Sequence, residues 1–113
     1  MPHRLPIALA AAGLALATLA SAAFAQNVTG NAEAAKSKTS MCTGCHGIPG
    51  YRTAYPEVYH VPKIGGQQPG YIISALKEYK SGARWHPSMR GIAASLTEQD
   101  MADLAAYYSG GPK

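Results

Sequence analysis

The chain has few cysteines, and they stand close together. Cys42 and Cys45 are the only two, and no second C-x-x-C or H-x-H pair accompanies them. A structural zinc site takes four ligands from two separated pairs, so one pair excludes the usual zinc modules. His60 and His86, the other histidines beyond the N-terminal region, stand 26 residues apart and offer no paired spacing. Strand patterning of period two is also missing, which removes the β-α-β scaffold expected around a thioredoxin-like dithiol. No run of Lys or Arg occurs. With Arg4 set aside the formal charge is only +3, too little to indicate nucleic-acid binding. A mildly positive field suits instead an acidic protein surface, or partial neutralisation of an anionic cofactor. There is no internal repeat, no low-complexity tract past the N-terminus, and no nucleophile-base-orienter set that would mark an enzyme in its own right.

A basic start (His3, Arg4) leads into an Ala/Leu-rich run from Leu5 to about Leu19, then into "SAAFAQ". Ala23-Phe24-Ala25 is a small-x-small cleavage signal, so residues 1–25 are expected to be a cleaved secretory leader and residues 26–113 one domain. The alternative, an uncleaved anchor, is weakened by the Ala/Gly-rich character of the run. Export to the periplasm follows, with no stable membrane insertion after cleavage. The remaining domain is too small for a second core and is marginal without a staple, a metal or a large cofactor.

Asn31 to about Met41 is alanine-rich and predicts a short helix leading to the cysteines. Residues 47–67 hold three prolines and four glycines and predict a long loop, which in so small a domain must wrap something. The stretch 67–84 predicts a helix with Pro69 in its first turn, Ile72, Leu76 and Tyr79 at helical spacing, and Gly82 as its end. Trp85 to Gly91 is expected to be loop. The last helix is expected behind Thr97, with Asp100 as capping-box partner, Met101, Leu104, Ala105 and Tyr108 on one face, and Gly110 at its end. The fold class is therefore all-α, three to four short helices joined by long loops.

"MCTGCHG" carries the chemistry. A disulfide between residues three apart closes a tiny loop and constrains the unfolded chain little. It would also leave His46 and the long loops without a purpose. In C-x-x-C-H the two thiols add to the vinyl groups of a haem as thioethers, and the adjacent histidine stands under the iron. Covalent haem c thus accounts for Cys42, Cys45, His46 and the missing core together. For a sixth ligand the candidates are Met41, Met89, Met101, His60 and His86. Met41 adjoins the attachment edge, Met101 falls on the apolar stripe of the last helix, and His60 reads as a surface histidine. Met89, in the expected loop, and His86 beside it remain.

These residues resemble a known family, the small monohaem class I c-type cytochromes of bacteria. The resemblance runs from "AEAAKSKTSMCTGCHG" through "VPKIGGQQPGYIISALKEYKSGAR" to "HPSMRGIAASLTEQDMADLAAYY". It implies a class I cytochrome c fold in which the first and last helices cross beside the haem. It further implies that the Pro62 carbonyl accepts the Nδ1 proton of His46, that Ile64 packs on the haem, and that Met89 rather than His86 ligates iron. Two features depart from the family pattern. The loop between His46 and Pro62 is longer than in common members, and a glycine usual at the helix crossing is Ala35.

Arg84, Trp85 and Tyr71 carry donors next to the haem-facing segments and are candidates for hydrogen bonds to a propionate. Against this stand core packing for Trp85 and Tyr71 and a solvated position for Arg84. Lys77, Lys80, Arg84 and Arg90 against Glu78 form a positive rim suited to redox partners with acidic docking surfaces. The function implied is a periplasmic one-electron carrier, working as a monomer or as the haem-bearing subunit of a larger periplasmic dehydrogenase. Two further alternatives are an open-site haem sensor and a haem-free dithiol protein.

Overall fold

A computed structural model describes residues 28–111. The leader expected at residues 1–25 and its cleavage site lie outside the described residues.

Asn31 opens α1 (Ala32–Ala35): its side-chain oxygen accepts from the backbone N–H groups of Glu33 and Ala34, satisfying two of the unpaired donors of the first turn. A 3₁₀ turn, Lys36–Lys38, follows, and α2 (Ser40–His46) then carries the chain through both cysteines. The first helical region therefore extends beyond the expected Met41, to His46. Nothing in "SMCTGCH" stops a helix, because Gly44 is flanked by residues able to maintain the hydrogen-bond ladder.

Residues 47–67 are not all loop. β1 (Arg52–Thr53) pairs antiparallel with β2 (Tyr59–His60) in the register Arg52 opposite His60 and Thr53 opposite Tyr59. The pairing continues as Val61 N–H donates to the Tyr51 carbonyl at 3.0 Å. This corrects the expectation of no strands. Two residues per strand are too few to leave a period-two signature in the sequence.

α3 (Pro69–Ser81) has Pro69 in its first turn and ends at Gly82, whose φ of 87° is the left-handed cap that glycine adopts without strain. α4 (Pro87–Ala94) occupies the segment expected as loop, with His86 as its N-cap: the imidazole Nδ1 accepts from Met89 N–H at 3.4 Å. Pro87 is preorganised for the first helical turn and overrides the glycine at 91. α5 (Glu98–Ser109) starts at the Thr97–Asp100 capping box and ends at Gly110, as expected. The described residues are mostly helical.

α1 packs on α5, and α3 packs on both α4 and α5. The core is Ala35, Ile72, Leu96, Met101, Leu104, Ala105 and Tyr108, with Cys42 and Ile64 at its margin. The close approach of the terminal segments rests on Gly30 instead of position 35. A Cβ at Gly30 would collide with the Ala102 carbonyl of α5. Ala35 itself is fully buried.

One polar group is buried in this crossing. Asp103, 2% exposed, accepts from Asn31 N–H at 2.8 Å, from Gln99 Nε2 at 2.8 Å and from Lys38 Nζ at 2.9 Å. Lys38 also reaches Asp100 at 2.6 Å. A buried carboxylate is tolerable only with such a donor set, so Asp103 links α5 to the segment before α1 and to the 3₁₀ turn.

Candidate functional site

α2 presents Cys42, Cys45 and His46 at positions i, i+3 and i+4, the spacing that gathers side chains on one helix face. All three line one cavity, which α3 walls with Ile72 and Leu76 and α4 with Met89. The two cysteines are not joined to each other. Among the described residues no three His, Cys, Asp or Glu side chains converge.

His46 is oriented by the loop after the hairpin: its Nδ1 lies 2.7 Å from the Pro62 carbonyl oxygen. A carbonyl can only accept, so Nδ1 carries the proton and Nε2 keeps its lone pair free for a metal. Ile64 lines the cavity two residues further on. At the attachment side, burial pushes the Cys42 thiol above its ordinary pKa. Burial likewise raises Tyr108, whose hydroxyl has the Cys42 sulfur as its polar neighbour.

On the other helix, Met89 and His86 both line the cavity. They differ in engagement. His86 uses Nδ1 to cap α4 and sets its ring 6.0 Å from that of Tyr59, whereas among the described residues no hydrogen bond occupies the Met89 thioether. Met101 is buried in the core, and His60, on β2, does not line the cavity. Met41 lines the cavity beside Cys42.

The three residues considered for propionate contacts separate. Tyr71 lines the cavity, and its hydroxyl accepts from both terminal nitrogens of Arg84 at 3.4 Å. The Arg84 guanidinium lies over the rings of Tyr71 and Tyr79, 5.6 and 5.3 Å from their centroids, and its Nε is 3.2 Å from Glu78. It is a held group at the cavity mouth, not a freely solvated one. Trp85 is 71% exposed and lines a separate surface cleft with Arg90, so it is not packed in the core. The positive rim is uneven too. Lys77 pairs with Glu98 at 3.2 Å, and Lys80 Nζ donates to the Leu96 carbonyl.

A cytochrome c family model matches residues 29–109, nearly all of the described chain. The chain belongs to the cytochrome c family. It is 35% identical to cytochrome c4 of Pseudomonas aeruginosa over 83 residues, covering 74% of this chain and 39% of that protein. It is 37% identical to cytochrome c-554(548) of Halomonas halodenitrificans, covering 71% of this chain and 95% of that one. Among solved structures it is similar to cytochrome c4 of Acidithiobacillus ferrooxidans, with 29% identity and a TM-score of 0.57 over 75% of this chain and 52% of the other. The chain thus spans about two fifths of the cytochrome c4 relatives it matches.

The fold is that of a class I cytochrome c, and the family implies covalently bound haem c. The residues present fit that group. Two unbonded thiols, an imidazole with its lone pair free and a free thioether open on one largely apolar cavity, with a guanidinium and a tyrosine hydroxyl at its mouth. Among the polar residues of the cavity wall that the sequence did not single out are Gln67, Ser88 and Thr53, the last on β1 with its Oγ1 buried, and no spacing motif marks them.

Proposed function

We propose that this chain is a one-electron carrier working through covalent haem c, with Cys42 and Cys45 as the thioether residues and His46 and Met89 as axial ligands. The observation that carries the reading is the convergence of those four side chains, from α2 and α4, on one apolar cavity. Haem supplies iron cycling between ferric and ferrous states. The chain's own residues hold it by two covalent bonds, orient the His46 ring through Pro62, and keep water from the iron with Ile64, Ile72 and Leu76. A thioether ligand favours ferrous iron and raises the potential. No group here makes or breaks substrate bonds, and the chain is not proposed as an enzyme.

The leader motif at residues 1–25 supports export, so the domain from Gln26 onward is placed in the periplasm, without a membrane anchor once cleaved. Partners are read as redox proteins with acidic docking surfaces. Arg90, exposed beside Trp85, is the cation that best supports this, since Lys77 and Arg84 already have acidic neighbours.

A second reading, that the chain is the haem-bearing subunit of a dehydrogenase, draws on a similar protein named as the cytochrome subunit of sulfide dehydrogenase. Another relative, named as a thiosulfate dehydrogenase electron acceptor, favours the free carrier. Native purification separates the two by size: a species near the chain's own mass supports the carrier.

The deciding experiment is the visible and near-infrared spectrum, oxidised and reduced, of protein exported with haem-maturation machinery, for wild type and Met89→Ala. Sharp reduced c-type bands and a weak sulfur-to-iron band lost in the variant support the assignment. A c-type spectrum unmoved by the variant transfers the sixth position to His86 or to an open site. Colourless protein overturns the haem reading.

A further inference from the structure

Two buried side-chain hydroxyls among the described residues have no hydrogen-bond partner, Thr53 Oγ1 and Tyr108 Oη, and both residues line the cavity. Tyr108 lies beside the Cys42 sulfur, so its place is the thioether edge. Thr53 has no such neighbour. A buried hydroxyl left without an acceptor is destabilising, which in a folded protein points to a partner supplied by a bound group.

The hairpin that carries Thr53 is tied to both sides of the cavity. Tyr51 accepts from Val61, next to the Pro62 carbonyl that faces His46. Tyr59, directly opposite Thr53 in the ladder, sets its ring against His86 at the start of α4, the helix of Met89. A segment joining the His46 side to the Met89 side passes an edge of any flat group held between them. In haem the thioether positions and the propionates lie on opposite edges, and the propionate carboxylates are its only peripheral acceptors. With the thioether edge at Cys42 and Cys45, only the carboxylate edge among those left to the hairpin offers an acceptor for the Thr53 hydroxyl.

We propose that Thr53 Oγ1–H donates a hydrogen bond to a haem propionate, making the hairpin of residues 52–60 a propionate-binding element. Thr53 is a positioning residue: it holds a carboxylate of the cofactor and does not touch the iron. The inference rests on the haem reading above but not on which residue is the sixth ligand.

The test uses haem-loaded protein. Proton NMR of the reduced wild type is expected to show a slowly exchanging Thr53 hydroxyl proton with a nuclear Overhauser contact to propionate methylene protons. Resonance Raman is expected to show a propionate bending band that shifts in Thr53→Val and returns in Thr53→Ser. The Val variant removes the donor at nearly constant shape, and the Ser variant restores it. An unshifted band in Thr53→Val together with no protected hydroxyl proton in wild type overturns the proposal while leaving the haem reading intact. If Thr53→Val fails to take up haem, the wild-type NMR contact decides alone. Wild-type protein that exports without haem overturns the reading beneath it.

Discussion

His46 Nδ1 lies 2.7 Å from the carbonyl oxygen of Pro62, sixteen residues along the chain, and this contact ties the helix of the C-x-x-C-H motif to the end of the hairpin loop. It sets the tautomer and also the rotation of the imidazole about its own axis. Proline's fixed φ holds the carbonyl in place. Pro62→Gly keeps the carbonyl but frees the backbone, at a cost of about 1 kcal/mol. The His46 Nδ1 proton is then expected to exchange with solvent roughly fivefold faster, a factor corresponding to that free energy. Hydrogen exchange followed by NMR checks this, and an unchanged rate would remove the orienting role.

Met89→His exchanges a soft sulfur for an imidazole on the same helix. The reduction potential is expected to fall, on the order of 100 mV, within the roughly 0.8 V range that axial ligands span. Redox titration of wild type and variant reads it directly. An unchanged potential would place the sixth ligand elsewhere.

Gly30→Ala forces a Cβ against the Ala102 carbonyl. The obstacle is backbone on both sides, so the terminal segments must separate. A loss of about 1–3 kcal/mol is expected, as for overpacking elsewhere. Denaturant unfolding of the haem-loaded protein measures it, and a change within ±0.5 kcal/mol, the usual surface range, would show that the crossing relaxes freely.

Asp103→Ala leaves Asn31 N–H and the Lys38 ammonium without their buried acceptor. The expected loss is about 2 kcal/mol, and Asp103→Asn should recover part of it, because an amide oxygen can still accept from Asn31.

The same cluster produces an acid limb of stability. Lys38, with help from the Thr97 backbone and hydroxyl, holds Asp100 down at about 2, and Lys38, Gln99 and Asn31 lower Asp103. Both folded-state values lie below the ordinary carboxylate range near 4. The stabilisation is therefore fully present above about pH 4 and is lost as pH falls through the folded values towards 2. Melting temperature should decline across that window in wild type, and less steeply in Lys38→Met, where both carboxyls return towards ordinary values. Parallel slopes would dissociate the cluster from acid sensitivity.

Arg90→Glu should slow association with an acidic redox partner and reduce its dependence on ionic strength, because an exposed charge acts mainly on the encounter rate. Stopped-flow electron transfer at low and high salt measures this. The structure favours Arg90 over Lys80 for the test, since Lys80 also supports the Leu96 carbonyl and its reversal would disturb folding.

Much of this protein is determined locally. The C-x-x-C-H spacing, the Thr97 and Asp100 pair, the Pro69 start and the Gly82 stop each act within a turn or two of helix, so they are legible in order along the chain. The apolar stripe of Met101, Leu104, Ala105 and Tyr108 likewise follows from a 3.6-residue period. Tertiary structure decided the rest, because it depends on partners far apart in sequence. The two-residue strands around Thr53 exist through pairing across a loop, and α4 forms where His86 caps a helix that packs on α3. Which glycine permits the helix crossing is set by the Ala102 carbonyl, and Asp103 is buried because Asn31 and Lys38 return to it across some seventy residues. The C-x-x-C-H motif and three of the helices are legible along the chain alone, whereas the polar groups that face the cavity are set by loop closure, which brings its walls together.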